Sequence, residues 1–172
     1  MKHKQWGTTL KRDHAIWIAA VIDCEGTLTV HLPFNKISGG RNLQVFGRVE
    51  MINYDVPFLL HTLCGGSMSK PKQKGNRRNH FMWNISSNGL RWLLPQIMGH
   101  LIVKKRHAEI LLKILSGNPS GRNGSRYKMP YESLRKLIIE LRTINYKGKT
   151  ADDTLIRKCV AYQLDETVQA RM

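Results

Sequence analysis

Residues 17–26 read Trp17-Ile18-Ala19-Ala20-Val21-Ile22-Asp23-Cys24-Glu25-Gly26. With Ala15 and Ile16 in front, this stretch predicts a helix that opens at Asp13 or His14 and stops at Gly26. Residues 15–22 are apolar without interruption, so the helix has no polar stripe. Such a helix is expected to be buried on every side. In a chain of 172 residues that demands a second covering surface, such as another subunit. Ala19 and Ala20 are small enough for two helix backbones to approach closely, so the helix can pack on its own copy.

Outward from this helix, the apolar period switches from helical to two. Residues 27–32 alternate Leu28, Val30 and Leu32 against Thr27, Thr29 and His31, a strand with one apolar face. Residues 35–40 hold Ser38, Gly39 and Gly40, a turn or flexible loop. Residues 42–51 alternate again, with Leu43, Val45, Gly47, Val49 and Met51 against Asn42, Gln44, Phe46, Arg48 and Glu50, and complete a hairpin. Asn53 or Asp55 caps a short helix whose expected core side is Phe58, Leu59, Leu60 and Leu63, and Gly65-Gly66 end it. The pattern then repeats in kind. Residues 67–72 and 80–86 read as strands around a basic loop, and Ser87 or Asn88 caps a helix with Leu90, Leu93 and Leu94 that breaks near Pro95. Residues 104–115 form an amphipathic helix, 118–128 a polar Gly-rich loop, 130–144 another helix and 152–164 a last one.

The expected fold class is α+β, in the order α-β-β-α-β-β-α, with a four-stranded antiparallel sheet half covered by helices. Extra helices follow. The whole chain, 1–172, reads as a single domain, with a core of about 13–115 and a helical extension of about 116–172.

Lys plus Arg number 28 against 12 Asp plus Glu, a formal net charge of +16. A charge that large on a small protein is costly to fold unless a polyanion neutralises it. Nucleic acid is the leading partner and anionic membrane the second. The basic charge is concentrated: residues 56–108, 53 in a row, contain no carboxylate, but they do contain Lys70, Lys72, Lys74, Arg77 and Arg78. That pattern fits a phosphate-facing surface. The uncovered sheet face collects Thr29, His31, Asn42, Gln44, Arg48, Ser69, His80 and Asn84, with Lys70 and Lys72 beside it. These hydrogen-bonding side chains suit base edges in a major groove, which admits a two-stranded ribbon. The longest apolar run is eight residues, far short of a bilayer span, so no membrane partner is expected. The first twelve residues lack the apolar run of a signal peptide, and Cys24, Cys64 and Cys159 are scattered and odd in number. Both features fit an intracellular, reducing compartment.

The nine residues Ile18 to Gly26, followed by this element order and charge, resemble the motif of the LAGLIDADG homing endonucleases. The resemblance covers roughly 13–115. Ala20 stands where the family usually has glycine, and Cys24 where a small residue is usual. No second apolar helix ending in an acid-glycine pair occurs after Gly26, so the resemblance is to the single-motif, homodimeric type. It implies a site-specific endonuclease on double-stranded DNA, making a metal-dependent staggered double-strand break in a long pseudopalindromic target. It implies that Glu25 binds Mg²⁺ directly (Mn²⁺ or Ca²⁺ as substitutes), with the Cys24 backbone carbonyl nearby. A carboxylate is the hard oxygen ligand this ion takes. Asp23 is a second acidic candidate in the catalytic set, equally readable as a local hydrogen-bonding residue. Lys104 matches the family's basic residue opening the helix after the fourth strand, where it can stabilise charge on the phosphate.

Two positions depart from the family. At the end of the second strand, where relatives often place a polar water-positioning residue, this chain has Met51. An arginine found four residues later in some relatives aligns with Asp55. They open an alternative: a catalytically inactive relative acting as a maturase on intron RNA, or as a DNA-binding regulator. A basic RNA-binding structural protein is the third reading. His61-x-x-Cys64 lacks the second pair a structural zinc site needs, and His100 and His107 read as surface or phosphate contacts.

Overall fold

The computed structural model describes residues 8–31, 43–71, 80–117 and 129–145. Its elements run α1 (Arg12–Glu25), β1 (Gly26–His31), β2 (Gln44–Met51), α2 (Asp55–Cys64), β3 (Ser67–Ser69), β4 (Phe81–Ile85), α3 (Ser87–Ile97), a 3₁₀ turn (Met98–His100), α4 (Lys105–Ser116) and α5 (Tyr131–Asn145). The fold is mixed α and β, with a four-stranded antiparallel sheet in the order β1-β2-β4-β3. β4 is the hub. Arg48 faces Asn84 and Val49 faces Trp83 on one side of it, and Ser67 faces Asn84 and Met68 faces Trp83 on the other. The hairpin expected over 35–40, Asn42, Lys72, the 118–128 loop and the last helix over 152–164 lie outside the described residues.

The described residues cluster into two compact units. One comprises 8–28, 46–71 and 80–108, the other 29–31, 43–45, 109–117 and 129–145. In the first, α1 packs on α3, and α2 packs on β3 and β4. Its core holds Ala15, Ile18, Ala19 and Ile22 of α1, Leu60 and Cys64 of α2, Trp83 and Ile85 of β4, and Leu90, Leu93, Leu94 and Ile97 of α3. In the second, α4 buries Ile110, Leu111, Ile114 and Leu115, and α5 buries Leu134, Ile138 and Leu141. Both stripes follow the helical period, as expected for helices with one covered face.

The structure corrects several expectations. Within one chain α1 is covered on its Ala15, Ile18, Ala19 and Ile22 face, while Ile16, Ala20 and Cys24 are exposed, the side for which the sequence reading asks a second covering surface. The covered side of α2 is Pro57, Leu60 and Cys64, and Phe58 and Leu59 face outward. β3 ends at Ser69 rather than reaching residue 72, because Pro71 has no N–H to extend a ladder. Pro95 does not break α3; it sits at an exposed position, and the ladder resumes when Met98 N–H bonds the Leu94 carbonyl. His107 is buried rather than a surface contact, whereas His100 is exposed.

Two glycine positions are required by geometry. Gly66, the residue after the α2 cap Gly65, stands at φ 88, and a Cβ there would run into the Asn84 carbonyl. Gly26 has ordinary extended angles (φ −78, ψ 153), so it does not stop α1 by turning left-handed. Its necessity is close approach: a Cβ would lie 2.6 Å from the Ile22 carbonyl oxygen. The helix therefore passes into β1 with no connecting residue.

Candidate active site and nucleic-acid interface

The last turn of α1 carries Asp23, Cys24 and Glu25, and the structure brings it against the loop that opens α4. Asp23 Oδ2 accepts the Ile102 backbone N–H at 2.7 Å, and Asp23 Oδ1 accepts that of Lys104 at 2.8 Å. In return, Lys104 Nζ donates to the Asp23 carbonyl at 2.5 Å. The exchange satisfies both helix ends. An acid sits at the positive N-terminus of α4, and a cation sits at the negative C-terminus of α1. Lys104 is thus not a solvated lysine opposed by its own helix. Its ammonium belongs electrostatically to the other helix, one residue from Cys24 and two from Glu25.

Burial works to raise the Asp23 carboxyl's pKa, but the backbone hydrogen bonds from Ile102, Lys104 and Val103 and the Lys104 charge outweigh it. The group titrates below the ordinary carboxylate range. Because the folded state holds this proton more weakly than the unfolded chain, Asp23 stabilises the fold at neutral pH. The contribution is lost as pH falls below about 4 and through the lowered folded value. Asp23→Ala is expected to cost about 1–2 kcal/mol at pH 7, with the difference from wild type shrinking toward pH 3. Urea unfolding at the two pH values checks it; an equal difference at both would show that the carboxylate charge contributes nothing.

Glu25 differs from Asp23. It is exposed, and its carboxylate has no hydrogen-bond or ion-pair partner among the described residues. It also sits at the end of a helix whose dipole disfavours an anion. Among the described residues no cluster of three His, Cys, Asp or Glu side chains is placed to hold a metal. One carboxylate without a partner among the described residues, at an exposed chain turn that also holds Cys24, is still a donor set that fits Mg²⁺, which takes one or two carboxylates and completes its shell with water and phosphate oxygens. It does not fit an all-protein cage.

In the first unit, the polar sheet face carries Arg48, Glu50, Ser67, Ser69 and Asn84, with His80 just before β4. Arg48 Nε donates to Asn84 Oδ1 at 2.9 Å, and Glu50 Oε1 meets His80 Nε2 at 2.8 Å. Lys70 sits elsewhere: its ammonium lies 5.5 Å from the Phe81 ring centroid, on the face that also carries Trp83. In the second unit, His31 is exposed and Gln44 is half-buried. The Thr29 hydroxyl donates to the Val30 carbonyl at 3.4 Å and lies 3.5 Å from Asn145 Nδ2. Alternation placed these side chains on one face; it gave no sign of the Arg48–Asn84 and Glu50–His80 pairs, which depend on strand register. The clasp between Asp23 and the α4 loop spans about eighty residues and had no sequence signal at all.

Neither protein-family models nor curated proteins match the chain. Solved structures do. The archaeal intron-encoded homing endonuclease I-Vdi141I, complexed with DNA, is 21% identical with a TM-score of 0.65, over 88% of this chain and 96% of that one. The homing endonuclease I-CvuI, in complex with its target in the presence of 2 mM Ca, is 15% identical with a TM-score of 0.62, over 86% and 92%. I-SmaMI, bound to uncleaved DNA target in the presence of calcium ions, is 21% identical with a TM-score of 0.57, over 85% of this chain but 49% of that one. At these identities the likeness is one of architecture, and the chain has the homing-endonuclease fold.

Proposed function

We propose that the protein is a site-specific, divalent-metal-dependent DNA endonuclease that works as a homodimer. The observation that carries this reading is Glu25: an exposed carboxylate without a partner among the described residues, at the end of α1 and two residues beyond the Asp23 carbonyl that holds the Lys104 ammonium. Glu25 and the Cys24 carbonyl are the groups that would hold the metal. A divalent ion bound there supplies Lewis-acid stabilisation of phosphate charge and acidifies water. Lys104, bonded to the carbonyl of the same helix end, would add a fixed positive charge for the phosphodiester as it is cut. The net charge of +16 and the polar sheet face provide the binding surface.

DNA as substrate is supported by the fold shared with I-Vdi141I and I-CvuI, both seen with DNA, and a divalent ion by the calcium present with I-CvuI and I-SmaMI. The dimer is supported by exposed apolar residues on the first unit. Ile16 and Phe58 are 43% and 46% exposed, and Ile102 and Val103, beside the site, are 87% and 68% exposed. Solvent is a poor neighbour for that much hydrocarbon. This chain also spans about half of I-SmaMI, so two copies equal one such chain in extent.

The test is cleavage of a duplex that joins the genomic sequences flanking the reading frame, with Mg²⁺ or with EDTA. The expected result is one discrete double-strand cut with Mg²⁺ and none with EDTA, by a species sedimenting at twice 19.8 kDa. Tight binding without cutting would return the nuclease-dead alternative. A monomer on and off DNA would remove the two-fold architecture.

A further inference from the structure

One arginine on the sheet is held in a way that points to the base it meets. Arg48 and Asn84 are direct cross-strand partners on β2 and β4, and both are half-buried. Asn84 Oδ1 holds Arg48 Nε at 2.9 Å, and the guanidinium carbon lies 5.4 Å from the centroid of Phe46, two residues earlier on the same face. A guanidinium pinned at Nε and stacked on a ring is pre-oriented. Its Nη1 and Nη2 groups bond to no described residue. Glu50, two positions further along the same face, is the natural competitor for them, but it is paired with His80.

The orientation of the Asn84 amide follows from the same contact. Arginine has donors only, so the atom facing Nε is the carbonyl oxygen, and Asn84 Nδ2 remains a donor directed elsewhere. The guanidinium fork therefore offers donors only. In the major groove guanine shows two acceptors, adenine one acceptor and one donor, cytosine a donor, and thymine one acceptor beside a methyl group. A fork with only donors matches guanine.

We infer that Arg48 reads a guanine in the major groove of the bound duplex, with Asn84 and Phe46 as its positioning residues. This rests on the DNA-binding reading proposed above and adds to it a named base in each half-site. A guanidinium fork also fits a phosphate, so the experiment separates the two contacts.

Wild type, Arg48→Lys, Arg48→Ala and Asn84→Ala are each used to select bound duplexes from a randomised library, and the affinity for the selected sequence is followed against salt. Wild type is expected to enrich guanine at one position per half-site. Arg48→Lys keeps the charge but not the fork. It is expected to retain the wild-type salt slope and the other enriched positions while losing preference at that guanine by roughly 5- to 100-fold. Asn84→Ala weakens the same position alone, by a smaller factor. The proposal is overturned if Arg48→Lys selects the wild-type sequence with unchanged stringency. It is also overturned if Arg48→Ala loses affinity equally on all sequences with the salt slope reduced by about 1, the signature of a phosphate contact. Wild type that enriches no duplex at all overturns the DNA-binding reading itself, and that outcome is visible before any variant is examined.

Discussion

On the proposed endonuclease reading, Glu25→Gln should leave the protein as stable as wild type and still bound to DNA, yet lower its cleavage rate by about three orders of magnitude or more, the scale of losing several kcal/mol of metal-borne stabilisation. The two halves of this expectation come from different observations. Stability is unaffected because the carboxylate is exposed and has no partner among the described residues, and exposed substitutions of that kind stay within about 0.5 kcal/mol. The change is nearly isosteric and removes only charge. Activity is lost because glutamine is a weak ligand for a hard divalent ion, and the neighbouring acid Asp23 is already committed to Ile102 and Lys104. Binding is expected to hold or to tighten slightly, since one anion is removed from beside the phosphates. Parallel measurements of melting temperature, DNA affinity and cleavage separate the outcomes. Cleavage at the wild-type rate would show that Glu25 is not the ligand.

Trp83→Ala should have the largest effect on folding, about 3–5 kcal/mol, which is much of the 5–15 kcal/mol that a domain of this kind possesses. Trp83 is 1% exposed at the centre of β4, between Val49 of β2 and Met68 of β3. Its indole Nε1 donates to the Gly65 carbonyl at 2.7 Å, where α2 ends in the turn that only glycine accommodates at Gly66. Truncation opens a cavity in the sheet and leaves that carbonyl without its donor. Trp83→Phe keeps much of the ring and drops the donor, so it is expected to cost about 1–2 kcal/mol. Chemical denaturation of both variants checks the pair. If Trp83→Ala does not fold, Trp83→Phe still reports the bond. A loss under 0.5 kcal/mol in Trp83→Phe would mean that the contact with Gly65 contributes little.

Periodicity made most of the element order readable, because strands and helices of a half-buried layer repeat at two and about 3.6 residues. It failed where apolar residues run together. Phe58-Leu59-Leu60 has no phase of its own, so the covered side of α2 was set by its packing on β3 and β4, which selected Pro57, Leu60 and Cys64. The same uniformity gave no sign of which face of α1 its own subunit covers. In the site, Asp23, Glu25 and Lys104 were all recognisable as candidates, but only the family resemblance ranked Glu25 above Asp23 as a ligand; residue type and spacing did not. Their difference is entirely tertiary: the loop before α4 reaches one carboxylate and not the other. Strand register, which joins Arg48 to Asn84, is likewise set by the folded sheet rather than by alternation.

The absence of any linker between α1 and β1 turns the motif into a fixed ruler. Glu25 is the last residue of the rod and Gly26 the first of the ribbon. One residue added at that junction would rotate the acid by roughly 100° about the rod axis. Restoring the acid's position instead would exchange the inner and outer rows of the ribbon, because its side chains alternate with period two. On the proposed endonuclease reading, the offset between the metal-holding acid and the first DNA-facing strand is therefore locked in length. On that reading a change of target has to come from exchanging side chains on the strands, with the spacing at this seam held constant.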